Sequence, residues 1–241
     1  MSKFKTGKLL AVSLLSVFAA QAIAEDAAEN TSPVTENAPV ASQPQGSRWV
    51  DFSDPTAIYS KMGLATGTEG VDIYAALGGY LGGRFEQKLT VEAIHDMDYY
   101  NVNYLAFNTS NDTGFSIKTT WNNNDDYGED YEEASVGVIK KLGFTNKAVK
   151  FYPAMNAGVM WDWDDSIPTT TFVEIDAAVR YTVTPDFWVG VTPTYRYALN
   201  GLDIDNLDGT AEAGYQLAQE VAISIHVNND DEVWGDFTFA F

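Results

Sequence analysis

Apolar and polar residues alternate strictly near the C-terminus of the chain. Within residues 220–228 the apolar positions fall at every second residue: Val221, Ile223, Ile225 and Val227. The positions between them are polar or small, and they include Ser224 and His226. Because successive side chains of a strand point to opposite faces, this period of two predicts a β-strand with one apolar and one polar surface.

The same alternation recurs upstream, in residues 171–183 and 187–199. In the first of these segments the apolar face holds Val173, Ile175 and Val179, whereas the other face carries charged residues. Such segments approach the ~10 residues that a tilted strand needs to cross a membrane. They predict strands with one face toward lipid and the other toward water.

The pattern predicts about twelve strands, with 10 to 14 possible. They are expected at 56–64, 71–81, 84–94, 98–108, 114–122, 131–142, 149–161, 171–183, 187–199, 210–217, 220–227 and 232–241. An even number returns both termini to one side of the membrane, as in bacterial single-chain barrels. The predicted fold is therefore all-β, a transmembrane antiparallel β-barrel over residues 51–241. A soluble β-sandwich is the alternative, and the persistence of the alternation argues against it.

The connections between the predicted strands are of two kinds. Tight ones fall at 82–83, 108–113, 184–186 and 218–219, and longer acidic ones at 122–130, 162–170 and 200–209. Short periplasmic turns and longer extracellular loops are typical of outer-membrane barrels. Only the connection 142–149 is longer than its place among the short turns predicts.

The N-terminus carries the features of an export signal. Lys3, Lys5 and Lys8 precede an apolar run that ends in Ala22-Ile23-Ala24, which predicts a signal peptide over residues 1–24. Residues 25–50 are rich in Glu, Ala, Pro and Ser, without apolar periodicity, and predict a disordered periplasmic segment.

Charge and cysteine content exclude several classes of function. The chain has 14 basic and 34 acidic residues, and loss of the three leader lysines leaves a net charge of −23. An acidic surface disfavours nucleic acid. The absence of cysteine excludes disulfides and thiolate chemistry, and we predict no cofactor and no metal site.

Charged residues fall on the predicted water-facing positions of the strands. We expect these to line the lumen: Arg84, Glu86, Lys88, Glu92, Lys118, Glu133, Lys141, Lys150, Glu174, Asp176, Arg180, Arg196, Glu212 and Glu220. Charges of both signs suit a water-filled path better than a packed apolar core. A closed, salt-bridged interior remains the alternative interpretation.

Patterns of catalytic or metal-binding residues are weak. Ser224 with His226, and His95 with Asp96, are bare pairs without the surrounding groups that hydrolysis needs. Residues 203–209 fail as a calcium loop because the required glycine and bidentate glutamate are missing. Loose divalent binding by loop carboxylates stays open for Asp125, Asp126, Glu129, Asp130, Asp162, Asp164 and Asp165. We therefore predict that the protein is not an enzyme.

The last nine residues have aromatics at alternate positions and end in phenylalanine. The residues concerned are Trp234, Phe237, Phe239 and Phe241. This segment resembles the C-terminal assembly signal of Gram-negative outer-membrane proteins, which the barrel-assembly machinery recognises. The resemblance implies an outer-membrane location.

The inferred size resembles that of narrow monomeric channels, the oligogalacturonate and sialic-acid porins and the nucleoside-specific channels. The first family lines its lumen with arginine tracks, whereas this chain offers mainly Arg84, Arg180 and Arg196. We expect a channel for passive diffusion of small hydrophilic solutes, with outer-membrane lipid, lipopolysaccharide and the assembly machinery as partners. The alternative is a non-conducting barrel that binds ions, lipopolysaccharide or a partner through its acidic loops.

Overall fold

The computed structural model describes residues 50–122, 131–144, 148–162 and 167–241. Its strands form one antiparallel sheet: β1 (Lys61–Gly67), β2 (Gly70–Gly82), β3 (Phe85–Ile94), β4 (Tyr99–Asn108), β5 (Thr113–Asn122), β6 (Tyr131–Lys140), β7 (Leu142–Gly143), β8 (Val149–Trp161), β9 (Thr170–Thr184), β10 (Phe187–Ala198), β11 (Asp205–Ala218), β12 (Val221–Asn228) and β13 (Val233–Ala240). Among the residues described, no helix is long and apolar enough to span a membrane.

The sheet closes on itself. β1 pairs with β13, with Lys61 opposite Ala240, and β6 pairs with β8, with Glu132 opposite Trp161. The two-residue β7 also pairs with β8 and continues the line of β6 after a break at Lys141, so the barrel has twelve strand positions. A closed ladder leaves no long unpaired edge, which a barrel in lipid requires. The prediction of an all-β antiparallel barrel of about twelve strands is confirmed.

The two ends of the barrel differ in their connections. We call the end where β1 begins and β13 finishes the terminal end, and the opposite one the loop end. Two-residue turns at the terminal end join β2 to β3, β9 to β10 and β11 to β12. The strand ends that flank the two longest connections, Asn122 with Tyr131 and Trp161 with Thr170, lie at the loop end. The predicted division into short turns and longer loops therefore agrees with the strand boundaries.

Two strands begin about five residues away from their predicted starts, and the remaining boundaries differ by three residues or fewer. The first strand begins at Lys61, and residues 56–60 do not pair in the sheet, so the predicted strand 56–64 is wrong over its first half. The side-chain oxygens of Asp51 and Asp54 accept hydrogen bonds from the backbone amides of Ser53 and Thr56, two residues further on, and these bonds fold the stretch into turns. At the other boundary, β11 begins at Asp205, because residues 205–209 pair with β10 and shorten the predicted loop 200–209.

The barrel is apolar outside and polar inside. Outward residues such as Ile225 and Leu77 are 56% and 63% exposed. Inward residues such as Glu133 and Glu174 are buried at 8% and 7% exposure. A protein in water would not leave so much apolar surface uncovered, whereas a lipid-embedded barrel requires it.

Candidate functional site

An arginine on β10 organises the loop-end half of the lumen. The guanidinium of Arg196 donates from Nη1 to Glu133 Oε2 at 2.7 Å and from Nε to Glu174 Oε2 at 2.9 Å. Its Cζ lies 4.5 Å from the centre of the Phe172 ring. One guanidinium thus joins β6, β9 and β10 through two carboxylates and an aromatic face.

A lysine and an asparagine extend this group of charges across the wall. Lys118 Nζ lies 3.6 Å from Glu174 Oε1 and 3.9 Å from Asp176 Oδ2. Asn156 donates to both carboxylates, at 3.3 and 3.2 Å, and Thr194 donates to Asp176 at 2.8 Å. We call Lys118, Glu133, Glu174, Asp176 and Arg196 the wall network. Because every carboxylate in it has a donor, the network fixes five inward charges in place.

A second polar group lies on β9 to β12. Arg180 Nε contacts Glu212 Oε1 at 2.5 Å, and Trp188 Nε1 donates to the same oxygen at 3.2 Å. Ser224 Oγ and His226 Nε2 are hydrogen-bonded at 2.8 Å. His226 Nδ1, however, is 3.8 Å from Glu212 Oε2, which is too long for the hydrogen bond that orients a catalytic histidine. The arrangement is a hydrogen-bonded wall.

Aromatic and acidic side chains line a cavity of about 330 Å³ beside this group. Tyr74 Oη donates to Asp236 Oδ1 at 3.0 Å, and Lys61 Nζ lies 4.9 Å from the centre of the Tyr74 ring. Trp234 stacks on His226 with ring centres 5.0 Å apart. The surface offers hydrogen bonds and flat rings to a hydrophilic solute.

Residues 51–60, which we call the strap, run inside the lumen at the terminal end. Lys88 Nζ on β3 donates to the carbonyls of Pro55 and Ala57, each at 3.0 Å. Lys141 pairs with Asp54 at 2.5 Å, and Lys150 on β8 pairs with Asp51. Three lysines from separate parts of the wall therefore hold the strap.

Asp54 is the most enclosed charge of the strap, with 5% of its surface exposed. Its Oδ1 accepts hydrogen bonds from Thr56 N at 2.9 Å and Thr56 Oγ1 at 2.6 Å. Burial by itself would raise the pKa of this carboxyl, but the ammonium of Lys141 and the two donors of Thr56 outweigh it and hold the pKa below its usual value. Asp54 is therefore ionised at neutral pH.

The structure distributes the fourteen residues predicted for the lumen among five places. Glu133, Glu174, Asp176, Arg196 and Lys118 form the wall network, Arg180 and Glu212 form a pair, and Lys88, Lys141 and Lys150 contact the strap. Glu86 and Glu92 lie on β3, partly buried. Arg84 and Glu220 are exposed in two-residue turns at the rim, away from the inner wall.

Sequence reasoning missed the acids of the strap and several groups of the cavity, among them Asp72 and Tyr74. These two residues lie inside the predicted strand 71–81 and alternate with Val71 and Ile73, so the same alternation that selected the other lumen residues could have included them. Asp51 and Asp54 each precede a hydroxyl residue by two positions, a turn pattern that carries no information about a lumen path.

The C-terminal aromatics divide between the two faces of β13. Trp234 points inward onto His226, and Phe237 and Phe241 are 48% and 62% exposed on the outside. Phe239 lies against Phe241, with ring centres 6.3 Å apart. Their role as an assembly signal stays a prediction.

The acidic loop residues 123–130 and 163–166 lie outside the described residues. In the part that is described, no group of three or more His, Asp or Glu side chains could hold a metal ion.

Three solved structures with the same architecture are named as porins or as an outer membrane channel. The NanC porin superposes with a TM-score of 0.51 at 10% sequence identity, over 77% of this chain and 99% of that one. An outer membrane channel from Pseudomonas putida F1 gives 0.57 at 8% identity, over 79% and 98%. The KdgM porin in complex with disordered oligogalacturonate gives 0.50 at 7% identity, over 76% and 99%. No protein-family profile and no curated protein sequence matches the chain.

At these identities the likeness establishes the fold alone. The chain spans nearly the whole length of each of these three channels, so the shared unit is the entire barrel. The strap and the wall network are features of this chain's own residues.

Proposed function

We propose that the protein is a porin-like channel of the bacterial outer membrane, which lets small hydrophilic solutes diffuse passively through its lumen. The observation that carries the proposal is the distribution of side chains across the barrel wall: apolar side chains lie outside, and charged side chains in ion pairs and hydrogen bonds lie inside. Buried charge of both signs is costly in a dry interior and inexpensive beside water. The solved channels of the same fold support this reading.

The loop end favours cations. Its connections contain no lysine or arginine, and their described acids are Glu69, Asp96, Asp98, Asp162, Asp203, Asp230, Asp231 and Glu232. An acidic mouth concentrates cations before they reach the lumen, in which both signs are present. We therefore propose a preference for cations and neutral solutes at low ionic strength.

An enzymatic role is not part of the proposal. The nearest candidate, Ser224 with His226, lacks a hydrogen bond from Nδ1 to Glu212. A hydrolase would need that bond to hold the imidazole, together with donors for an oxyanion. The solved channels described above are named as porins or channels.

The proposal includes the route to the membrane. Residues 1–24 would be removed as a signal peptide, and residues 25–50 would remain in the periplasm. The terminal end would then face the periplasm and the loop end the exterior. Phe237, Phe239 and Phe241 would engage the barrel-assembly machinery, and the loop end would lie among lipopolysaccharide.

Cysteine labelling on intact cells tests this orientation, since the chain has no native cysteine. Asp231→Cys at the loop end should react with a membrane-impermeant maleimide, whereas Asp186→Cys at the terminal end should react only after lysis. Labelling of Asp186→Cys alone on intact cells would invert the orientation.

A second candidate function is a non-conducting structural barrel. The specific observation in its favour is that the strap occupies the terminal end and is held there by three lysines. Single-channel recording separates the two functions, because a structural barrel gives no current even when folding is verified.

A further inference from the structure

The strap crosses the lumen as a segment of its own, between parts of the wall that are far apart in sequence. Its contacts reach Lys88 on β3, Lys141 between β6 and β7, and Lys150 on β8. Phe52 and Tyr59 of the strap lie against each other, with ring centres 5.7 Å apart, and line the cavity that opens toward β10 to β13. The strap therefore reduces the open cross-section at the terminal end.

The inner wall is shaped to receive it. Ala76 and Gly78 are inward positions of β2, and Ala76 is fully buried. A Cβ added at Gly78 would lie 2.6 to 2.7 Å from the backbone of Tyr59, which is closer than atoms can approach. The Gly78 amide also donates to Ser60 Oγ at 3.2 Å. The backbone of the strap thus rests directly on a strand that has no side chain at that point.

The strap also changes the charge of the lumen. Without it, Lys88, Lys141 and Lys150 would face water at the terminal end with none of the partners they now have. Asp51 and Asp54 neutralise Lys150 and Lys141, and two backbone carbonyls of the strap accept hydrogen bonds from Lys88. The same segment therefore narrows this end and neutralises or covers three lysines of the wall.

We propose that the strap is the constriction and the charge-selecting element of the terminal end of the pore. This inference rests on the proposed channel function. It predicts that a released strap widens the path, and that the sign of the ion preference then depends on which partner of each ion pair was altered.

The first test compares two double variants in planar bilayers, Asp51→Asn with Asp54→Asn and Lys141→Gln with Lys150→Gln. Both weaken the same two contacts, so both should raise single-channel conductance several-fold over the unaltered protein. The first leaves three lysines and no acid, and its reversal potential in a KCl gradient should move toward that of chloride. The second leaves two acids and one lysine, and its reversal potential should move toward that of potassium.

The second test displaces the strap without altering any charge. Gly78→Ala places a methyl group where the backbone of Tyr59 now lies, whereas Gly79→Ala, its neighbour, meets nothing within 4 Å. Gly78→Ala should raise conductance, and Gly79→Ala should match the unaltered protein. Because this pair changes one methyl group on one strand, equal folding yields are expected and are checked by heat-dependent gel mobility.

The conductance and reversal-potential measurements distinguish a failure of the strap proposal from a failure of the proposed channel function. Conducting protein whose conductance is unchanged in both double variants and in Gly78→Ala would overturn the constriction. Reversal potentials that move in the same direction in the two double variants would overturn the charge-selecting role. Folded protein that conducts in no form, released variants included, would overturn the channel function and this inference with it.

Discussion

The loop end and the terminal end of the lumen use ion pairs in different ways. Near the loop end, Arg196 joins Glu133 and Glu174, and all three residues belong to strands of the barrel. At the terminal end, Lys141 and Lys150 pair with Asp54 and Asp51, which belong to no strand. The first arrangement fixes the wall, whereas the second holds a segment whose release leaves the ladder of strands intact.

Burial distinguishes the wall network from the Lys150–Asp51 pair, whereas Asp54, whose side chain is 3% exposed, is as enclosed as the wall carboxylates. The side chains of Glu133 and Glu174 are 10% and 9% exposed. Loss of Arg196 would therefore leave two enclosed carboxylates without the guanidinium that pairs with them. Asp51, at 45%, is largely in contact with solvent. Charge in this lumen is therefore structural in the wall network, and at the terminal end it is readily altered only at the exposed Lys150–Asp51 pair.

The largest expected effect comes from breaking the wall network. Arg196→Gln leaves Glu133 and Glu174 without their cation. Because both carboxylates are enclosed, the free energy of unfolding should fall by about 3 to 5 kcal/mol. Urea unfolding in lipid vesicles measures it. The matched change at the other end, Lys150→Gln, should cost only about 0 to 1 kcal/mol, because its partner Asp51 is well exposed. Equal losses for the two variants would remove the distinction between the ends.

Both ends of the barrel should open on one water-filled lumen, surrounded by a wall whose outer face contacts lipid. Substitutions on the two faces of β12 test this arrangement. Ile225 points outward and Ser224 inward. Ile225→Arg should cost about 2 to 4 kcal/mol of folding stability in vesicles, and Ser224→Arg clearly less. If the two penalties are the same, β12 does not separate lipid from water.

A smaller effect is expected from the acids of the loop end. Replacing Asp230 and Asp231 with Asn and Glu232 with Gln should weaken the cation preference at 0.01 M salt, measured as a reversal potential. The difference from the unaltered protein should vanish near 1 M, since the Debye length falls from about 30 Å to about 3 Å. The control is Asp186→Asn at the terminal end. A preference that survives both the triple variant and high salt would place selectivity away from the mouth.

Local periodicity is the reason that most strands could be predicted. β12, predicted at 220–227 and found at Val221–Asn228, needs only a period of two over eight residues. The same period assigned Glu174, Asp176 and Arg196 to the polar face of their strands, and in the structure Arg196 pairs with Glu174 while Lys118 lies near Asp176.

The contacts among inward residues could not be predicted in the same way. Arg196 and Glu133 are 63 residues apart, and only the closure of β6 on β8 brings them together. The strap is a stronger case, because Asp51 meets Lys150 across 99 residues and its own segment has no period at all. Alternation assigns a face to each side chain, and barrel closure decides which side chains meet.

Single-channel recording of the refolded protein in a planar bilayer tests the channel most directly. We expect stepwise current with a cation preference at low salt, and larger steps when the Asp51→Asn and Asp54→Asn changes are combined. Folding is verified beforehand by heat-dependent gel mobility. A bilayer that stays silent with the folded protein and with the released variants would contradict the channel and leave the structural barrel as the function of this fold.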